Sequence, residues 1–278
     1  MKKILFTGVL FLYLAGMGNA TNWLTSFEDA QKMALATDKL MLVDFWATWC
    51  GPCQKMDAES WGKKDVGALM EGYVPVKVDI DTRNDLASKY DVKGIPYIFI
   101  MDGNGTVIHK EIGYKPKGYV VGLLKKYAVN TTFLKISLTQ FYANQTFLTS
   151  FRLASKYNDF SVLLDKNIRN DFLNASDEYF GISEKLLKKE DVKNKDWYSQ
   201  KMELYNIQRV LILNNSKRAS KLLDKIEEES LDAFNKSHYW FLNYICCSKN
   251  GDTDQVEIWK SKLNESELAK ADTFLKSI

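Results

Sequence analysis

The chain has 278 residues, a length typical of two domains of ordinary size. Hydrophobic residues make up 46% and charged residues 26%, which argues against a disordered chain and provides enough apolar side chains for packed cores. The 38 Lys and Arg residues nearly balance the 35 Asp and Glu residues, so the sequence lacks the basic excess of a nucleic-acid-binding protein. We expect no nucleic-acid partner.

The first twenty residues predict a signal peptide. Lys2 and Lys3 form a short basic start, residues 4–14 form an apolar run, and Gly18-Asn19-Ala20 places small residues at a cleavage site. We therefore expect a mature chain that begins at Thr21, is exported and resides in the periplasm. The alternative is an uncleaved membrane anchor, which is disfavoured because the apolar run is shorter than the roughly 20 residues that span a bilayer.

Residues 21–128 predict an α/β domain. Apolar runs typical of strands lie at 40–47, 73–80 and 95–101, and a fourth strand is expected at 106–112 after the hairpin turn Asp102-Gly103-Asn104-Gly105. Helical patterns begin near Phe27 and recur between the strands and after the last one. Strands joined by helices and followed by a hairpin predict a mixed central sheet with helices on both faces.

Residues 129–278 predict an all-helical domain. Proline does not occur in this part of the sequence, and apolar residues recur at intervals of three and four. Two pairs of antiparallel helices are expected, over 197–223 and 239–263. A tetratricopeptide-like array and an irregular helical bundle are both compatible with this pattern.

The segment Trp49-Cys50-Gly51-Pro52-Cys53 places two cysteines one helical turn apart, directly after a predicted strand. A helix that starts here offers the Cys50 sulfur its free N–H groups and the positive end of its dipole, both of which favour a thiolate. Cys53 is then placed to attack a mixed disulfide formed at Cys50. Pro52 suits the first helical turn, and Gly51 lets a substrate chain approach closely.

The cysteine pair has three alternative interpretations: half of a zinc site, a structural disulfide, or an inactive domain that keeps the motif. Zinc is disfavoured because Cys246 and Cys247 are adjacent in the other predicted domain, and His109 and His238 are the only histidines. We predict no metal. A structural disulfide is disfavoured because so short a loop adds little stability.

Cys246 and Cys247 lie in an apolar helical stretch. The favoured interpretation is that both are small buried hydrophobic residues. A second redox centre or an intermolecular bridge is the alternative, although neighbouring helical side chains point in different directions and suit a vicinal disulfide badly.

Residues 40–127 resemble the thioredoxin family, and VDFWATWCGPC from Val43 to Cys53 is similar to the family's active-site signature. The resemblance implies a thioredoxin-like fold and a redox-active pair at Cys50 and Cys53 that needs no cofactor. Asp44 resembles the family's buried carboxylate, whose raised pKa suits it to take the proton from the second thiol. Lys77 resembles the lysine that pairs with this carboxylate.

The resemblance also assigns a substrate groove. Its members would be a cis-proline loop whose backbone pairs with a substrate strand, a small residue beside it, an indole next to the first cysteine, and the dipeptide between the cysteines. These residues are Trp49, Gly51, Pro52, Ile95, Pro96 and Gly113. One departure is Ala58, which stands where cytosolic family members usually carry proline.

These features predict an exported thiol–disulfide oxidoreductase that reduces disulfide-containing client proteins, with electrons from a membrane or periplasmic thiol donor. The Gly51-Pro52 dipeptide resembles reducing members of the family, whereas export to an oxidising compartment favours the alternatives, a disulfide isomerase or oxidase. A further alternative is a client-binding scaffold in which the helical domain carries the function. That domain is expected to contact client proteins or to form a homodimer.

Overall fold

A computed structural model of the protein describes residues 23–278. The predicted signal peptide and its cleavage site lie outside the described residues. The described residues form an α/β part followed by a part made of helices alone. The α/β part comprises α1 (Phe27–Thr37), β1 (Met41–Trp46), α2 (Gly51–Met56), a π-helical segment (Asp57–Trp61), α3 (Lys64–Met70), β2 (Val74–Asp79), α4 (Asn84–Lys89), β3 (Tyr97–Met101), β4 (Val107–Ile112) and α5 (Lys117–Lys126).

The helical part begins with a 3₁₀ turn (Thr132–Leu134). It continues through α6 (Lys135–Ala143), α7 (Phe147–Val162), α8 (Lys166–Lys189), α9 (Lys195–Ile212), α10 (Ser216–Leu223), α11 (Ala233–Asn250), α12 (Thr253–Lys260) and α13 (Glu265–Ser277). The predicted mixed α/β fold followed by an all-helical region is confirmed. None of the helices in the described part of the chain combines the length and the apolarity that a membrane span requires.

The four strands form one mixed sheet in the order β2-β1-β3-β4. Strand β1 pairs in parallel with β2 and antiparallel with β3, which in turn pairs antiparallel with β4. Because side chains alternate along a strand, β1 sends Val43 and Phe45 to one face and Leu42 to the other. Both faces are covered, which explains why β1 and β3 are almost wholly apolar.

The turn between β3 and β4 lies at residues 102–105, as the sequence predicts. Gly105 has φ +84°, and a Cβ atom there would lie 2.5 Å from the Tyr90 hydroxyl, so this position requires glycine. The carboxylate of Asp102 closes the turn by accepting hydrogen bonds from the backbone N–H groups of Asn104 and Thr106, at 2.9 and 3.0 Å.

The same carboxylate connects the sheet to the helical part. Asp102 is completely buried, and its second oxygen accepts hydrogen bonds from the hydroxyls of Tyr157 in α7 and Tyr179 in α8, at 2.8 and 2.6 Å. Around these groups a single hydrophobic cluster extends from Ile100 in the sheet to Phe172 in α8. The boundary predicted at residues 128 and 129 falls between α5 and the 3₁₀ turn, and the core continues across it.

The second half of the helical part has its own core. Helices α9 to α13 contribute buried side chains such as Leu204, Leu211, Leu242 and Phe274. The turn between α9 and α10 lies at Leu213–Asn215 and the turn between α11 and α12 at Gly251–Asp252, as expected for two antiparallel pairs. Whether this array belongs to the tetratricopeptide type stays a prediction.

Removing one of the tyrosine hydroxyls that Asp102 binds should weaken the contact between the two parts. We expect Tyr179→Phe to lower the free energy of unfolding by about 1–3 kcal/mol, because a buried carboxylate loses a hydrogen-bond donor. Urea unfolding followed by circular dichroism measures the change. Tyr142→Phe, at an exposed tyrosine without a side-chain hydrogen bond, is the matched control. Equal stability of the Tyr179 variant and the wild type would contradict this role.

Candidate active site

The sheet register brings the predicted site residues to one edge of the sheet. Cys50 follows the end of β1, and Ile80 follows the end of β2, which runs parallel to β1. Pro96 immediately precedes β3, whose first residue pairs with the end of β1, and Gly113 follows the last residue of β4. Parallel and antiparallel pairing thus place four separate chain segments beside each other.

Cys50 and Cys53 form a disulfide with Cα atoms 5.2 Å apart. Cys50 is the N-cap of α2, and its Sγ atom accepts a hydrogen bond from the Cys53 N–H at 3.1 Å. Pro52 lies in the first turn of this helix, where its missing N–H has no cost. The N-cap position gives the Cys50 sulfur the helix N–H donors that stabilise a thiolate once the disulfide is reduced.

The groove residues lie around the disulfide. The side chains of Trp46, Ile80 and Ile95 pack against the two cysteines. The Ile95–Pro96 peptide is cis, and the Pro96 carbonyl accepts a hydrogen bond from the Gly113 N–H at 2.8 Å.

The rim of the site is open. Trp49 is 66% exposed, and its indole N–H donates to Asp81 at 2.8 Å, which fixes the ring beside the cysteines. No atom would lie within 4 Å of a Cβ added at Gly51 or Gly113, so both glycines leave room for another chain. Gly113 also has φ +82°, a conformation that favours glycine.

Asp44 and Lys77 are in register on neighbouring strands, and they share one face of the sheet. The Asp44 carboxylate is 2% exposed, and its Oδ2 atom lies 3.7 Å from the Lys77 ammonium. Burial raises the pKa of Asp44 to about 7, and the Lys77 charge opposes this effect. A carboxyl group with this pKa can exchange a proton near neutral pH.

The surroundings of this pair are aromatic. The Lys77 ammonium lies 5.0 Å from the centre of the Trp46 ring and 5.4 Å from that of Trp23. Trp61 lies close enough for its indole N–H to lower the pKa of Asp44 slightly, although neither Nε1 of Trp61 nor Oδ1 of Asp44 has a partner in full hydrogen-bond geometry.

Asp57 completes the charged cluster, and sequence reasoning gave it no role. Its carboxylate makes the shorter ion pair with Lys77, and its negative charge raises the pKa of Asp44. The π-helical segment that begins at Asp57 brings this side chain to the strand. Ala58 stands where the family usually has proline, and its N–H allows the helix to continue in this form. Ala58, together with Asp57, Glu59 and Trp61, is a departure from the cytosolic family pattern that could have indicated a different turn here.

The remaining cysteines and histidines lie elsewhere. Cys246 is buried and Cys247 half-buried, both are free thiols, and burial raises the pKa of each. A raised pKa makes both thiols poor nucleophiles at neutral pH. Within residues 23–278, no group of three or more His, Cys, Asp and Glu side chains is arranged to hold a metal ion.

The ionisation of Asp44 should make stability depend on pH. The folded-state pKa of about 7 exceeds the ordinary value of 3.8, so folding favours the protonated group. Stability therefore falls as the pH rises from 3.8 to about 7, and this contribution is constant above that range. We expect Asp44→Asn to raise the free energy of unfolding by roughly 2–4 kcal/mol at pH 8 and to change it little at pH 4. Urea unfolding of the oxidised protein at both pH values measures this.

Asp272→Asn, at an exposed position in α13, serves as the control for this experiment and should have no effect at either pH. A gain in the Asp44 variant that is equal at pH 4 and pH 8 would show that ionisation is not its cause.

Asp57 should set the pKa of Asp44. We expect Asp57→Asn to lower that pKa, since the substitution removes a neighbouring negative charge and leaves Lys77 to Asp44 alone. Carboxyl NMR titration of labelled protein measures the shift. Glu59→Gln is the matched control, because Glu59 lies in the same π-helical segment and instead accepts a hydrogen bond from Tyr114. An unchanged Asp44 titration in the Asp57 variant would refute the coupling.

Comparison with known proteins agrees with this geometry. The family model described as Thioredoxin matches residues 23–126, ending at the last residue of α5. Thioredoxin of Mycoplasmoides gallisepticum is 38% identical over 92 residues, which cover 33% of this chain and 87% of that protein. Thioredoxin of Bacillus subtilis is 31% identical over 106 residues, which cover 36% of this chain and 92% of that protein.

A crystal structure of a poplar thioredoxin h is also similar, with 20% identity and a TM-score of 0.32 over 36% of this chain and 85% of that one. The two bacterial thioredoxins are matched over most of their own length, and the cysteine pair occupies the helix start described above. A thioredoxin domain with this pair supports thiol–disulfide oxidoreductase activity, which in the family acts generally on disulfide-containing proteins. The chain therefore belongs to the thioredoxin family.

Proposed function

We propose that the protein is an exported reductase of protein disulfides that acts through Cys50 and Cys53. The observation that carries the proposal is the place of the Cys50 sulfur, which caps a helix at an open edge of the sheet, with a buried acid of raised pKa on the strand before it. This combination supplies a nucleophile and a proton acceptor for the two steps of thiol–disulfide exchange.

In the first step, the Cys50 thiolate attacks one sulfur of a client disulfide. A bond forms between Cys50 and the client, and the other client sulfur leaves as a thiolate that takes up a proton. In the second step, Cys53 loses its proton and attacks the Cys50 sulfur, which releases the second client thiol. The client gains two electrons and two protons, and the chain ends with the Cys50–Cys53 disulfide.

Asp44 takes the proton from Cys53 in this proposal. A carboxylate with an ordinary pKa would be too weak a base to take the proton of a thiol. The pKa of about 7 brings Asp44 closer to the pKa of a thiol. Lys77 holds the charged form of Asp44 in place, and Asp57 shares the lysine, so the three side chains set the proton affinity together. Both aspartates act on the resolving step, and neither is needed for the first attack.

The client would lie along the open rim. Trp49, Gly51 and Pro52 border one side of the cysteines, and Ile95, Pro96 and Gly113 border the other. Backbone groups of an extended client segment would pair with the backbone of the loop at Ile95 and Pro96, in the manner of an added strand. No cofactor takes part in these steps.

A reductase needs an electron source to restore the dithiol. In an exported protein, we assign this role to a membrane or periplasmic thiol donor, because the compartment is oxidising. The Gly51-Pro52 dipeptide supports this direction, and the signal-like start of the sequence supports export. An isomerase or oxidase would use the same two cysteines with a more oxidising potential.

Substitution of the two cysteines should separate the steps. We expect Cys50→Ser to abolish the reduction of insulin disulfides by dithiothreitol-fed protein. Cys53→Ser should accumulate a mixed disulfide with the substrate, visible on non-reducing gels, because the resolving thiol is missing. Cys246→Ser, in the helical part, is the matched control and should retain full activity. Activity of the Cys50 variant would contradict the proposed nucleophile.

The reduction potential of the pair decides the direction of electron flow. Thiol trapping in graded dithiol buffers should give a value near about −270 mV, as for thioredoxin. A value of about −180 to −120 mV would instead identify an oxidase or isomerase. If no Cys50–Cys53 disulfide forms at all, the protein is a scaffold and the redox proposal fails.

A further inference from the structure

A second site lies in the helical part, away from the redox edge. Helices α7, α9, α11 and α13 surround a cleft of about 770 Å³, a volume within the range of ligand sites. Its lining combines lysines, aromatic rings and a half-buried histidine: Lys156, Lys201, Lys270, Phe133, Phe234 and His238.

The two carboxylates in the cleft already serve the protein's own polar groups. Asp159 accepts a hydrogen bond from the Gln208 side-chain amide at 2.9 Å. Glu267 belongs to the capping box of α13, where it accepts from the Asn264 N–H at 2.9 Å and from the Ser237 hydroxyl. Neither carboxylate forms an ion pair with a lysine of the cleft.

The three lysines of the cleft have no carboxylate at ion-pair distance among the described residues. All three lie near enough to Asp159 for their charges to lower its pKa, yet none forms an ion pair among the described residues. Lys201 is the most enclosed, and burial lowers its pKa to about 8. Asp159 opposes this effect from beyond ion-pair distance. Keeping an ammonium group partly out of water without a carboxylate in direct contact costs free energy, which an incoming carboxylate would offset.

His238 presents a hydrogen-bond acceptor of fixed identity. Asn158 donates its amide to the Tyr205 carbonyl at 3.2 Å, so its oxygen accepts from Gln208 at 2.9 Å. The Gln208 oxygen therefore accepts from Nε2 of His238 at 2.8 Å, which places the hydrogen on Nε2 and leaves a lone pair on Nδ1. Burial lowers the pKa of His238, which keeps the ring neutral. Nδ1 is buried without a partner.

The rim of the cleft is apolar and exposed. Phe234 is 82% exposed at the start of α11, Leu163 is 58% exposed at the end of α7, and Phe133 is 44% exposed in the 3₁₀ turn. Large apolar side chains that gather in water around a cleft mark a site of contact with another molecule. They favour a ligand with aromatic or aliphatic groups next to its negative charge.

We propose that the cleft binds an extended peptide segment in which an acidic residue stands beside an aromatic or aliphatic one. The lysines receive the carboxylate, and the rim around Phe234 and Phe133 receives the apolar side chain. A peptide with these two residues next to each other supplies both groups at once. This inference concerns binding and stands apart from the redox chemistry.

Fluorescence anisotropy of a fluorescein-labelled peptide of alternating Asp and Phe residues, titrated with the full chain, tests the proposal. We expect saturable binding that weakens by about tenfold or more in Lys201→Gln and in Lys270→Gln, because a charge that faces the carboxylate is lost. Lys276→Gln is the matched control: it also lies exposed on α13 but outside the cleft, and should bind like the wild type. Phe234→Ser should weaken binding several-fold.

Three results would overturn the proposal. The first is absence of binding, and the second is equal binding of a peptide with Asn in place of Asp. The third is displacement by N-acetylphenylalanine at the affinity of the peptide itself, which would identify a small-molecule site. Cys50→Ser leaves the cleft unchanged and should bind the peptide normally, so the redox proposal and this inference fail independently.

Discussion

The buried carboxylate of Asp102 is the interaction on which the arrangement of the two parts depends. An aspartate in a hairpin turn is ordinarily exposed, and its burial without partners would cost several kcal/mol. Here four donors surround it, two from the turn's own backbone and two from Tyr157 and Tyr179. Because half of these donors come from α7 and α8, the turn is satisfied in full only when the helical part is docked.

The docking position leaves the redox edge free. Strands β1 and β3 are antiparallel, so the turn at Asp102 lies at the start of β1 while Cys50 lies beyond its end. A strand of this length separates the two ends by roughly 15–20 Å. The helical part can therefore be fixed firmly to the sheet without covering the cysteines. Lys77 and Asp57 set the pKa of Asp44 without contact with the helical part.

Periodicity, turn residues and the cysteine motif were sufficient to predict the strands, the hairpin, the all-helical second part and the positions of both helical pairs. These features are local, because alternation and helical spacing report which face of an element is buried. The role of Asp57 was not predictable, since it depends on a π-helical turn that brings a helix residue to a strand lysine. The partners of Asp102 and the cleft around Lys201 were not predictable either, because each joins residues more than forty positions apart.

A helical part attached only by a linker would sample many positions relative to Cys50, and a client held there would reach the cysteines at an effective concentration set by linker length. The continuous core from Ile100 to Phe172 removes that freedom. On the two proposals made above, a client bound at the cleft would reach the cysteines only across the separation that this packing sets. A docked helical part would then convert binding at the cleft into selection among clients by geometry, a property that the redox part would not have on its own.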